Sequence, residues 1–260
     1  KFIGDAQQRI IEDYLRILRL FRFAAYLPNA QIEPDSLKAA IKLKSHLHNL
    51  SIERVQTELW KLLAAPNFLE IVNLLAKHKI LSGFFEISET ALAHLNKNKD
   101  IFQKIHFSVI HKLAWLLRDD LKTSKELMQF AKDFKISNRE KALLNDLLFN
   151  SQEVELSSND KTHKALLRKF GKEIYQNILL FKLLQHPDES ARFEELNKLA
   201  KDFIIPEFPI SGHDLIKIGY RPGIELRKIL AKLETKWEAS DYLLNRDDLL
   251  KNILANKGCK

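Results

Sequence analysis

Gly4–Phe23 reads GDAQQRIIEDYLRILRLFRF, and the pattern of that stretch decides the fold. Apolar residues recur every three or four positions over residues 7–27, the period of an amphipathic helix. On a wheel of about 100° per residue, Ile10, Tyr14, Ile17, Leu18, Phe21, Ala24 and Ala25 share one half. Arg9, Glu12, Asp13, Arg16 and Arg19 fall on the other, with Arg22 near the edge of the packing face. One face is expected to pack and the other to present acids beside arginines. Asp13 and Arg16 are three apart, so on a continuous helix they are neighbours able to address one small object. A solvated, salt-bridged face has the same appearance, because exposed ion pairs are common and weak.

Working outward, helical spacing continues. Pro28 to Pro34 ends the first helix. The spacing predicts further helices at 35–47 (with Asp35 as N-cap), 51–64 (with Ser51 as N-cap), 67–78, 88–97, 101–118, 122–134, 137–151, 158–170, 172–185 and 188–203. Two prolines interrupt residues 204–210, IIPEFPI; helices at 211–219, 223–239 and 245–255 follow. Strand alternation, hairpin dipeptides and fixed-period repeats are absent. Seven glycines and seven prolines in 260 residues are few, and sheet-rich folds need many tight turns. The expected fold is all-α, an elongated multi-helix array.

The formal charge of +8 favours a polyanionic partner, although Lys-rich composition alone produces basic proteins with no nucleic-acid role. The single cysteine, Cys259, excludes an internal disulfide and makes a cytoplasmic protein the default. No apolar run approaches the roughly 18 residues of a membrane span, and the charges within residues 1–25 argue against a signal peptide. The chain begins at Lys1, directly in a motif, and reads as a piece of a longer protein. His106 and His111 are five apart, off the spacing of a helical zinc pair, and neither they nor His213-Asp214 suggests a metal site. Lys and Arg along 161–172 form either a phosphate-tracking stripe or a solvated face. Asp119-Asp120 and Asp247-Asp248 read as solvent-facing pairs in helical contexts.

The run Gly4–Phe23 resembles the fourth sequence motif of the class II template-independent RNA nucleotidyltransferases, the tRNA CCA-adding and poly(A) polymerase family. That motif is typified by Glu-Asp-x-x-Arg inside R-I-x-E-D-x-L-R-I-L-R-x-x-R-F, and the match holds at Arg9, Ile10, Glu12, Asp13, Leu15, Arg16, Leu18, Arg19, Arg22 and Phe23. In the family this helix acts as a protein template for the incoming base. The resemblance implies that Asp13 accepts from the base amino group and that Arg16 donates to the ring nitrogen. Cytosine and adenine both offer an amino donor beside a ring acceptor, whereas uracil and guanine reverse the order. One Asp–Arg pair thus separates C and A from U and G by about 1–3 kcal/mol per good bidentate contact. By the same resemblance Arg19 and Arg22 line the nucleotide site, Arg22 being nearly as well suited to a structural role, and Glu12 orients an arginine.

Two further segments extend the resemblance. LSIERVQTELWKL, residues 50–62, is similar to the next family motif, in which Ser51, Glu53, Arg54 and Glu58 would support the base-reading helix through acid–arginine contacts. Residues 209–237 are similar to a C-terminal segment that engages tRNA, departing at Ile224 and Arg227; Lys217, Arg221, Arg227 and Lys228 are its candidate RNA contacts. Gly219 and Gly223 also read as a helix stop and a tight turn.

The implied organisation is a neck at 1–65, a helical body at 66–203 and an RNA-binding tail at 204–260. Family chemistry belongs to a catalytic head whose Gly-Gly turn holds the triphosphate and whose D-x-D pair binds the metals. This sequence has no Gly-Gly and no such pair in a strand context, so no catalysis is expected from it alone. The intact enzyme would use CTP and ATP with Mg2+ on a tRNA or other RNA 3′ end. A poly(A)-adding or A-only enzyme, or a non-catalytic helical RNA-binding protein lacking the head, are the alternatives.

Overall fold

The computed structural model describes residues 4–27 and 31–257. Pro28, expected to end the first helix, and Cys259 lie outside the described residues. Among the described residues every regular element is a helix and none is a strand, as the sparse glycine and proline predict. None of these helices is long and apolar enough to cross a membrane.

The first expected helix is two helices. α1 spans Ala6–Glu12 and α2 spans Arg16–Tyr26. Between them Asp13 is extended, with φ −156° and ψ 105°. The periodicity survives at Ile10, Ile17, Leu18, Phe21, Ala24 and Ala25, all buried, but Leu15 is buried too, at 2% exposure, although a continuous wheel places it away from the packing face. The turn swings Leu15 inward, and the Asp13 carboxylate replaces part of the lost ladder by accepting from the Leu15 N–H at 3.2 Å.

α3 (Pro34–Leu43) opens at Glu33 rather than Asp35, because Pro34 fits the first helical position and leaves Asp35 in the first turn. It continues as a 3-10 helix, Lys44–Asn49. α4 (Ile52–Ala64) follows Ser51, as expected, and α5 spans Phe68–Lys77. α6 is Glu89–Lys97. The helix expected over 101–118 splits into α7 (Ile101–Lys104) and α8 (Val109–Leu117). Extended Ile105 and the Ser108 N-cap separate them, while the intervening Phe107 is drawn into the core at 2% exposure. α9 (Ser124–Asp133) and α10 (Asn138–Leu148) both begin with capping boxes, Thr123 with Glu126 and Ser137 with Glu140. α11 (Asp160–Phe170), α12 (Lys172–Gln185), α13 (Ser190–Asp202), α14 (Gly212–Lys217), α15 (Ile224–Ala239) and α16 (Arg246–Lys257) complete the chain.

The chain divides into two compact units, Lys1–Leu156 with Gln176–Glu194, and Ser157–Tyr175 with Glu195–Lys260. In the first, α1 packs on α3, and α2 packs on α4 and α5. Phe21, Leu59, Leu62, Ile71, Trp115 and Phe181 are among its sealed side chains. His111 is a satisfied core histidine: its ring nitrogens lie 2.7 Å from Ser108 Oγ and 3.1 Å from the Asn177 carbonyl. Asp119 is half-buried and lies in the turn after α8, where it accepts from Ser88 and Thr90 at the start of α6. That pair is therefore neither helical nor purely solvent-facing.

The second unit has its own core of Ile210, Leu215, Leu226, Leu233, Trp237 and Leu249. Most of the basic stripe at 161–172 joins α11 to α15 and the turn beyond. Arg168 pairs with Glu234 and, at 2.8 Å, with Glu238; Lys164 pairs with Asp241 at 2.6 Å; Lys161 donates to the Ala239 carbonyl. The stripe is thus largely internal to this unit, which separates it from both readings of the sequence. Gly219 (φ 91°) follows α14 and Gly223 (φ 154°) precedes α15, left-handed backbone that favours residues without a Cβ.

Lys112 on α8 donates to the Leu63 carbonyl at the end of α4 at 2.8 Å and lies 3.9 Å from the Phe68 ring centre. Burial pushes this amine down to about 8. In the unfolded chain it keeps its ordinary proton affinity, so from about pH 8 to 10.5 the unfolded state binds more protons and stability rises with pH. Below that window both states are charged and the burial cost is present in full. Urea midpoints measured from neutral to alkaline pH should climb for the native protein relative to Lys112→Met; parallel curves would show that the amine is not held down.

Candidate functional site

The turn between α1 and α2 gathers the charged residues of the first motif, and α4 lies beside it. Arg54, on the first turn of α4, places Nη2 at 3.1 and 3.0 Å from the two Asp13 carboxylate oxygens. One turn further along α4, Glu58 is buried at 4% exposure. Its Oε1 is 3.4 Å from Arg19 Nε and its Oε2 is 3.2 Å from Arg22 Nη1. Arg22 is 15% exposed at its side chain and Arg19 is 44% exposed. An acid so far from water is tolerable only with cations against it, and the i,i+3 spacing on α2 delivers two. Arg22 therefore has the structural contact that its edge position on the wheel allows.

Glu12, the last residue of α1, accepts from Arg9 and from Arg16, both at 2.7 Å. These contacts hold the Glu12 carboxyl below its ordinary range, the Arg16 hydrogen bond being the largest cause. Arg16 Nη1 also donates to the Arg9 carbonyl at 2.7 Å, which satisfies an orphan acceptor at the end of α1. Asp13 and Arg16 thus have different protein partners, one across to α4 and one back to α1. Neither is sealed: their side chains are 25% and 26% exposed.

Ser51 supplies backbone geometry for α4 but no side-chain cap bond, and Glu53 is exposed in the first turn. In the second unit Lys217, Arg221, Arg227 and Lys228 are all exposed around α14, the turn and the start of α15. Asp214, beside His213, is held well below the usual carboxylate range by Arg246, 2.7 Å away, and by the Ser211 N–H and hydroxyl. It closes the capping box of α14. Sequence reasoning missed Tyr14 and His46, whose rings stack with centres 4.4 Å apart and 11° between planes. No spacing rule links those two positions.

Comparison with known proteins shows what the chain as a whole is similar to. A family model described as "Probable RNA and SrmB- binding site of polymerase A" matches residues 29–92. Over 263 residues the chain is 30% identical to the mitochondrial CCA tRNA nucleotidyltransferase 1 of Danio rerio, covering 97% of this chain and 58% of the relative. Over nearly its whole length the chain is thus similar to members of the class II tRNA nucleotidyltransferase and poly(A) polymerase family. The CCA-adding enzyme of Leuconostoc mesenteroides is 27% identical over 257 residues, covering 96% of this chain and 61% of the relative. The chain therefore spans about three fifths of the length of these nucleotidyltransferases. The crystal structure of the Bacillus stearothermophilus CCA-adding enzyme in complex with CTP superposes with a TM-score of 0.75 at 19% identity, covering 100% of this chain and 67% of that one. The Thermotoga maritima CCA-adding enzyme complexed with tRNA gives 0.58 at 15% identity, covering 96% and 62%. At such identities the two structures establish a shared all-helical fold over this chain and nothing further.

Removing Glu58 should leave Arg22 buried without a counter-charge. Glu58→Ala is expected to cost about 2–3 kcal/mol, and Arg19→Ala, at an exposed partner, under about 1 kcal/mol. Guanidinium denaturation of both variants checks the ranking, and equal losses would refute it.

Proposed function

We propose that this chain is the nucleotide-selecting and tRNA-binding portion of an enzyme that adds C and A nucleotides to tRNA 3′ ends. The observation that carries the reading is the turn at Asp13, where a carboxylate and a guanidinium, each a quarter exposed, keep unused hydrogen-bonding capacity. Asp13 Oδ1 accepts from Leu15 N–H and Arg54, whereas Oδ2 accepts from Arg54 alone and retains an acceptor position for a base amino group. Arg16 makes its protein contacts through Nη1, which leaves Nη2 and Nε to donate to a ring nitrogen. Because protein partners already orient both groups, a base of the right polarity gains two hydrogen bonds with little further ordering. Uracil or guanine turns a carbonyl toward the carboxylate and forfeits both.

In this reading residues 1–65 are the neck that selects the base, 66–203 the body, and 204–260 the tail that grips RNA by its phosphates. Arg19 and Arg22 border the nucleotide while Glu58 anchors them. Nucleotidyl transfer belongs to the portion of the relatives that this chain does not span. Among the described residues no group of three His, Cys, Asp or Glu side chains is placed to hold the Mg2+ expected of the intact enzyme.

In the full-length protein, Asp13→Ala and Arg16→Ala should lose the preference for CTP and ATP over UTP and GTP by about tenfold or more, with tRNA affinity little changed. Labelled-nucleotide incorporation into tRNA measures this; unchanged selectivity in both variants would end the templating role. Replacing Lys217, Arg221, Arg227 and Lys228 by Ala should weaken tRNA binding and flatten its dependence on salt, by about one unit of log–log slope for each phosphate no longer neutralised. A slope equal to that of the native protein would remove the tail from the RNA interface.

A further inference from the structure

We infer that His46 is a positioning residue for base selection, acting through its stack on Tyr14. This rests on the base-reading role proposed for Asp13 and adds a residue outside the motifs that suggested it.

The local sequence of residues 7–27 favours one unbroken helix, yet the chain turns at Asp13, Tyr14 and Leu15. Something must hold that turn against its own propensity, and three contacts do so. Arg54 fixes the Asp13 carboxylate from α4. Leu15 is buried in the core. Tyr14, between them, lies flat against the His46 ring, at 4.4 Å and 11°. The platform beneath it is itself pinned. His46 sits in the 3-10 helix Lys44–Asn49, where Leu47 is 1% exposed and Lys44 Nζ donates to the His78 carbonyl at 2.7 Å. Just before it, Lys42 Nζ ties α3 to α1 through Gln7, at 3.0 Å.

Tyr14 is the residue between the base-reading acid and the buried leucine, and its carbonyl accepts from Ile17 N–H in the first turn of α2 at 3.1 Å. Fixing its ring therefore fixes the peptide planes on both sides of the turn. Without the stack, only Arg54 and the buried Leu15 hold the extended backbone of Asp13, and the turn can relax toward the helix that the sequence prefers. The carboxylate would then leave the position at which it meets a base. His46 itself reaches no nucleotide in this scheme.

The test uses the full-length enzyme, tRNA lacking its terminal CCA, and the four nucleoside triphosphates singly. His46→Ala should lower kcat/KM for CTP and ATP by about ten- to a hundredfold and reduce discrimination against UTP and GTP, with the KM for tRNA unchanged. His46→Phe, which keeps a flat ring, should restore both. Tyr14→Leu, which keeps bulk without a flat ring, should behave like His46→Ala. Asp13→Ala is the reference. If it loses selectivity while His46→Ala keeps the native value, the base reading stands and the positioning role is overturned. The positioning role is also overturned if His46→Phe is as defective as His46→Ala. If Asp13→Ala keeps native selectivity, the base-reading assignment fails first and takes this one with it.

Discussion

The buried carboxylate of Glu58 sets the terms for the rest of the site. Buried among Leu59, Leu62 and Val55 of its own helix, it would be intolerable alone. Arg19 and Arg22 make it tolerable, and in doing so they lock α2 to α4 in rotation as well as in distance. Apolar packing by itself permits a helix to slip about its axis at small cost, whereas an ion pair with one partner sealed does not. Arg54, one turn earlier on α4, is thereby brought to Asp13. A single acid in the second motif thus determines where the acid of the first motif can stand.

Much of this is legible in the amino-acid order alone. Helix identity, the packing residues of the first motif and the Ser51 start of α4 follow from periodicity and capping chemistry, which are local. The break at Asp13 is not legible, because nothing in IIEDYLRIL is a helix breaker. Its causes are Arg54 and His46, more than thirty residues away in sequence. The same reason explains the split between α7 and α8, where the demand for a buried Phe107 overrides a helical pattern. The acid–arginine types of the site are visible, but not their pairing: one helix face suggests Asp13 beside Arg16, and the turn gives each a partner on a different helix.

The second unit makes a parallel point about charge. A surplus of +8 invites the assumption that every basic cluster addresses phosphate. Arg168 and Lys164 instead fasten α11 to α15 and the turn after it through Glu234, Glu238 and Asp241. The positive field available to a polyanion comes from exposed residues such as Lys217 and Arg227. Net charge measures a surplus, and geometry decides which residues carry it.

Because α1 leans on α3 while α2 leans on α4 and α5, the residues at the turn stand at a joint between two sets of helix contacts within one shared core. A joint transmits small displacements from both sides. Under the base-reading role proposed for that turn, laboratory evolution toward altered nucleotide choice would therefore find productive changes on either side of the joint, at positions such as Ala40 or Leu59, without touching a charged residue at all.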